Sequence, residues 1–158
     1  MDTSPPSASQ RQAALDCLTD WLARLVEENP AVAAVVEDLE SDADRWFVRV
    51  NGEAKDVFSV WFTVDQRTLT YETYVLPFPE ENEAAFFEQL LRRNTRLREL
   101  AFCVGDEDAI FLRGQIDIRL VDDEVLDRIL GSTYAAIEDS FTAALRLGFA
   151  SRFSGCES

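Results

Sequence analysis

Between residues 11 and 29 apolar side chains recur at three- and four-residue steps. Ala14, Leu15, Leu18, Trp21, Leu22, Leu25 and Val26 fall on one stripe of a helix, which Pro30 ends. The period is then lost: in residues 31–44, Val32, Val35 and Val36 fit either a short further helix or an irregular link. From residue 45 the period becomes two. Strands rich in aromatic and β-branched residues are predicted at Arg45–Val50, Val57–Val64 and Leu69–Leu76, with Asn51-Gly52 opening the first turn and residues 65–68 forming the second. In the middle strand Phe58, Val60, Phe62 and Val64 share the face expected to meet the core, and Val57, Ser59, Trp61 and Thr63 take the other.

Pro77 and Pro79 stop the third strand. A helix is predicted from Pro79 to Arg96, with Glu80, Glu81 and Glu83 at its positive end, Arg92, Arg93, Arg96 and Arg98 near its negative end, and Ala84, Phe87, Leu90 and Leu91 buried. Leu100–Val104 and Ala109–Leu120 read as a hairpin around residues 105–108, with Ile110, Leu112, Ile116 and Ile118 on one face and Gly114 as a candidate bulge. Asp122 and Asp123 open the last helix, whose apolar stripe runs from Val125 to Leu145. At roughly 40 Å it exceeds what one small sheet needs, so part of it is expected to meet another chain. The order α-β-β-β-α-β-β-α predicts an α+β fold, an antiparallel sheet packed with helices. Residues 1–10 and 151–158 read as flexible tails around a single domain at 11–150.

Composition narrows the function. Thirty acidic against fifteen basic side chains give a net charge of −15, which excludes nucleic acid as a partner; such a surface serves solubility and draws basic proteins or peptides. Cys17, Cys103 and Cys156 are odd in number, with no CxxC pair, and there is no secretory leader and no apolar run near the ~20 residues of a membrane span. A cytoplasmic protein without membrane partners is expected.

Histidine is absent, which removes the commonest general base and metal ligand. No glycine-rich phosphate loop occurs. The acidic run at residues 37–44 lacks the Gly and distal Glu of a calcium loop and reads as a solvated linker, and Asp106-Glu107-Asp108 reads as turn chemistry. Cys103, with no histidine to activate it, reads as a buried structural thiol. No catalytic residue, metal or cofactor is expected, and a carboxylate-based hydrolase is only a third reading.

The aromatic residues point elsewhere. Trp46, Phe47, Trp61, Tyr71 and Tyr74 fall on three successive strands, and alternation prevents them from sharing one face. Either both faces are covered within the monomer, the C-terminal helix taking the second, or Trp61, Tyr71 and Tyr74 form a partner-binding surface. Arg49, Arg113 and Arg119 would then stand at its rim, paired with carboxylates.

Leu90-Leu91-Arg92-Arg93-Asn94, then Phe102 and Val104 before Asp106, then Ile110, Leu112 and Arg113, and Ile118-Arg119-Leu120 leading into Asp122, Leu126, Ile129 and Leu130, resemble the YbjN family and its type III secretion chaperone-like fold. The resemblance covers about Leu69 to Phe149. It implies a non-enzymatic role in regulating sensory transduction, and the wider fold implies homodimers that hold an extended segment of a client protein. The leading expectation is thus a chaperone-like or regulatory adaptor; the alternative is a small-ligand sensor with its pocket between the sheet and the C-terminal helix.

Overall fold

The computed structural model describes residues 4–154. Its first helix, α1 (Ala8–Glu28), starts inside the expected N-terminal tail. Ser7 and Gln10 explain this: the Ser7 hydroxyl accepts from the Gln10 amide at 3.1 Å, and the Gln10 side-chain oxygen accepts from the Ser7 amide at 2.8 Å, a capping box that satisfies two orphan donors. Ala14, Leu18, Trp21, Leu22 and Leu25 form its buried stripe, while Val26 is exposed.

Residues 31–44 are neither helix nor link. After Pro30, β1 (Val32–Glu37) runs out and pairs antiparallel with β2 (Asp44–Asn51). The acidic run expected as a linker is the turn between them, in which the Asp38 amide donates to the Arg45 carbonyl at 2.9 Å, the Asp38 side chain accepts from Glu40 and Ser41 Oγ accepts from Ala43. Three valines in six residues favour this extended pairing over a second helix.

The predicted strands are otherwise present: β3 (Val57–Val64), β4 (Thr68–Pro77), β5 (Ala101–Val104) and β6 (Ala109–Asp117). They complete a six-stranded antiparallel sheet in the order β1-β2-β3-β4-β6-β5. The order along the chain is α-β-β-β-β-α-β-β-α, closed by a further short helix, an α+β fold with one strand more than predicted. Ile118–Leu120 form a 3-10 turn rather than the end of a strand, with Arg119 ion-paired to Asp117 at 2.7 Å.

Helix α2 (Glu83–Asn94) begins later than predicted, after Asn82 in a left-handed conformation with φ of 54°. The preceding residues are occupied in docking: the amides of Glu80 and Glu81 donate to the Gly148 carbonyl, and the Asn82 side chain donates to the Leu147 carbonyl at 2.9 Å. This docking turns Phe86 and Leu90 into the core, where Phe86 lies against Gly148, and leaves Leu91 65% exposed rather than buried. Helix α3 (Asp123–Gly148) is capped by Asp122, whose carboxylate accepts from the Val125 amide at 2.8 Å. Its buried positions run from Leu126 to Gly148, so its own chain uses its whole length, and α4 (Ala150–Ser154) follows. Residues 155–158 of the expected C-terminal tail, Cys156 among them, lie outside the described residues.

Core packing joins α1, α2 and α3 to one face of the sheet: Trp21 meets Phe62 edge-on at 5.7 Å, and Val48, Val60, Leu69 and Leu112 are fully buried. Trp21 Nε1 also donates to Asp127 at 2.9 Å and ties α1 to α3. Gly114 is not a bulge; its register is continuous, and glycine is required because a Cβ there would sit 1.8 Å from the Glu99 carbonyl oxygen and 2.6 Å from the Tyr71 ring. The irregularity lies on β4, between Tyr74 and Leu76.

Candidate functional site

With the helices on one face, alternation sends a second set of side chains to the other. Phe47, Trp61, Glu72 and Arg113 stand directly across from one another on β2, β3, β4 and β6, and beside them Tyr74 faces Phe111, which faces Cys103 on β5. α3 does not cover this face, which settles the choice between two covered faces and one open one. The result is an open trough of about 870 Å³ across the sheet.

Its floor is aromatic. The Phe47 and Trp61 rings are 4.8 Å apart, the Arg45 guanidinium lies 4.0 Å from the Trp61 ring, and Tyr74 meets Phe111 edge-on at 5.8 Å. Four of the chain's fifteen cations line the trough: Arg45, Arg49, Lys55 and Arg113. Glu72 lies between two of them, 3.9 Å from Arg45 and 3.7 Å from Arg113. Arg49 and Lys55 have no carboxylate partner among the described residues, in a chain with twice as many acids as bases.

Lys55, the only lysine, is set by the β2–β3 hairpin. The Glu138 carboxylate on α3 accepts from the amides of Glu53 (3.0 Å) and Ala54 (2.7 Å), and Gly52 leaves no room for a Cβ, which would lie 2.4 Å from that carboxylate. The hairpin so fastened places Lys55 Nζ 2.9 Å from each of the Tyr74 and Val75 carbonyls at the β4 irregularity and 4.8 Å from the Tyr74 ring. Burial pushes its pKa down to about 8.

Of the residues predicted to bind a partner, Trp61, Tyr74 and Arg113 lie together on the open face. Tyr71 does not. It points into the core, fully buried, and its hydroxyl donates to the Glu99 carbonyl at 2.6 Å; burial raises its phenol pKa. The alternation of β4 explains this, since Tyr71 and Tyr74 are an odd number of residues apart. Arg119 is likewise remote from the trough, and Arg49 stands in it without the carboxylate expected to pair with it. Arg45, Lys55 and Phe111 were missed: the alternation of Arg45, Phe47 and Arg49 along β2 was a signal for the first, whereas Lys55 arrives through a tertiary contact that no local pattern carries.

Cys103 is half-buried in the trough, and Cys17 lies 3.8 Å from an Asp123 oxygen; burial raises both thiol pKa values, with Asp123 adding to the effect at Cys17. No group of three or more His, Cys, Asp or Glu among the described residues is placed to hold a metal ion. No described helix is long and apolar enough to cross a membrane. A second cleft, of about 520 Å³, opens between Val50 of β2 and α3 at Asp127, Gly131 and Tyr134.

The family model described as "Putative bacterial sensory transduction regulator", YbjN, matches residues 14–146. Among curated proteins, an uncharacterized protein of Mycobacterium tuberculosis is 34% identical over 104 residues, 66% of this chain and 57% of the relative. An uncharacterized protein of Mycobacterium leprae is 30% identical over 107 residues, 68% of this chain and 58% of the relative. The chain thus spans less than two thirds of the length of these relatives.

Proposed function

Since this chain belongs to the YbjN family, we propose that it is a non-enzymatic regulatory adaptor that acts in the cytoplasm by binding another protein on the open face of its sheet. The family's description as a regulator supports a binding role, and the absence of histidine fits it. The observation that carries the reading is the face itself: Trp61, Tyr74 and Phe111 line a trough while α1, α2 and α3 all pack on the opposite side. A monomer that needed only solubility would place polar side chains there. The resemblance to type III secretion chaperones supports a homodimer that holds an extended client segment, with aromatic side chains supplying most of the binding energy.

The test is a tagged pull-down from the native host's lysate with the native chain and with Trp61→Ala/Tyr74→Ala, alongside sedimentation velocity for the dimer. A stoichiometric partner captured by the native chain and lost with the double variant supports the reading. A partner retained equally by both would remove the trough from it.

The cleft between β2 and α3 favours a second reading, a small-ligand sensor. Its volume lies in the range of ligand sites, and a Cβ on Gly131 would meet nothing within 4 Å. Gly131→Leu should displace any small molecule that native mass spectrometry finds retained; retention in that variant counts against the cleft.

A further inference from the structure

We propose that the segment this trough accepts is acidic, an extended run in which Asp or Glu alternates with aromatic or large apolar residues. The inference rests on the adaptor reading and adds the chemistry of the partner. Its basis is a local reversal of charge. The whole chain carries two acids for each base, yet the trough is lined by four cations against three carboxylates, Glu72, Asp106 and Glu107. Glu72 is shared by Arg45, which also lies 3.6 Å from Asp38, and Arg113, and Asp106 and Glu107 belong to the β5–β6 turn, so the cations of the lining left without a carboxylate are Arg49 and Lys55. Arg49 and Lys55 have aromatic neighbours and no carboxylate among the described residues. Among the described residues several other arginines also lack an ion pair, but Arg49 is exposed on this one open surface, and Lys55 lines it with its ammonium held by the Tyr74 and Val75 carbonyls.

Position sharpens the chemistry. Arg49 on β2 and the Lys55–Tyr74–Phe111 group over β4 and β6 lie on either side of Ser59, a small residue that leaves a gap in the floor. Strands about 4.8 Å apart make the path from β2 to β5 about 19 Å long, which an extended chain covers in roughly six residues. Successive side chains of such a segment alternate, so carboxylates and rings meet cations and aromatic floor in turn. A small molecule would need enclosure on most sides, and this trough is open along its length. The acidic remainder of the surface does not prevent the contact, because its field is screened beyond about 8 Å at physiological salt.

The test is selection of a displayed library of random seven-residue peptides against the full chain, followed by fluorescence anisotropy of the recovered peptides on native protein, on Arg49→Glu/Arg113→Glu and on Trp61→Ala/Tyr74→Ala. The expected result is enrichment of peptides with net negative charge and at least one aromatic residue, bound at least tenfold more weakly by the charge-reversed variant. Circular dichroism confirms that both variants fold, and if the double reversal does not fold, Arg49→Glu alone serves, since Arg49 makes no ion pair among the described residues. Enrichment of basic peptides, or of none, overturns the inference. Peptides that lose binding with Trp61→Ala/Tyr74→Ala but not with the charge reversal overturn the acidic chemistry while leaving the adaptor reading in place. Peptides indifferent to both variants, or a self-associated chain whose dimer both variants dissolve, remove the segment from the trough altogether.

Discussion

Replacing Tyr71 with Phe deletes one oxygen atom and replacing it with Ala deletes the ring, and the two changes separate what holds this residue in place. Its hydroxyl donates to the Glu99 carbonyl at 2.6 Å, in a backbone stretch held at positive φ (61°) at Glu99. Losing that bond costs about 1 kcal/mol, and up to about 3 kcal/mol if the carbonyl is left without a donor. The ring is fully buried, packs 6.4 Å from Phe62 and closes against Gly114, so Tyr71→Ala opens a core cavity worth about 3–5 kcal/mol. In a chain of this length each kcal/mol moves the thermal midpoint by about 2–4 °C, so Tyr71→Ala should melt roughly 6–20 °C below the native chain. Trp61→Ala provides the control on the other face: the stacking of Trp61 on Phe47 and under Arg45 is worth about 1–2 kcal/mol, below the cost of Tyr71→Ala. Urea unfolding followed by far-ultraviolet circular dichroism measures all three, with equal m-values required for comparison. Tyr71→Ala within about 1 kcal/mol of the native chain would refute the placement of Tyr71 in the core.

Because Lys55 is the only lysine, a chain labelled with ¹³C-lysine gives one side-chain signal, which should titrate near pH 8; a midpoint above 10 would mean that the hairpin leaves Lys55 in water. The sign for stability follows: between pH 8 and the ordinary value of 10.5 the unfolded chain binds the extra proton, so Lys55 makes stability rise with pH across that window, and Lys55→Met should lose that rise. Thr73 is buried with a hydroxyl that has no partner among the described residues, so Thr73→Val should raise stability by about 1 kcal/mol in urea unfolding; a loss of that size would point to a bridging water. Gly114→Ala forces a methyl against the Glu99 carbonyl and the Tyr71 ring and should cost at least about 1–3 kcal/mol, whereas Gly131→Ala, with open space around it, should be neutral or stabilising by up to about 1 kcal/mol in the same assay.

The α+β architecture was legible because its elements carry strong local signals. The stripe of α1, the alternation of β3 and the acidic start of α3 each correspond to one energetic requirement: a buried face, or a satisfied helix end. What escaped was set by partners distant in sequence. β1 lacks a clean apolar alternation, its burial being irregular, and exists because β2 pairs with it; the buried face of α2 was misjudged because residues 80–82 dock on the end of α3 before the helix can start. Gly114 reads as a bulge in one strand, and only the approach of Glu99 and Tyr71 explains why a side chain is forbidden there.

The same distinction explains the trough. That aromatic residues must occupy both faces followed from alternation alone, and Trp61 and Tyr74 are on the open side as a consequence. Which side Tyr71 takes depends on the phase of β4, and the sequence permits either phase until Leu69 and Val75 are seen to be buried with it. Charge was harder still to read. A net value of −15 describes the far field and suggests basic partners, but a ligand in contact meets groups within a few ångströms. The cations nearest the aromatic floor are Arg45, Arg49, Lys55 and Arg113, drawn from two strands, β2 and β6, and a hairpin loop that are adjacent only after the sheet has formed. Global charge and local charge therefore have opposite implications for the partner, and at binding distance the local one should prevail, because Coulomb attraction at about 4 Å is unscreened while the remaining acids act through solvent and salt.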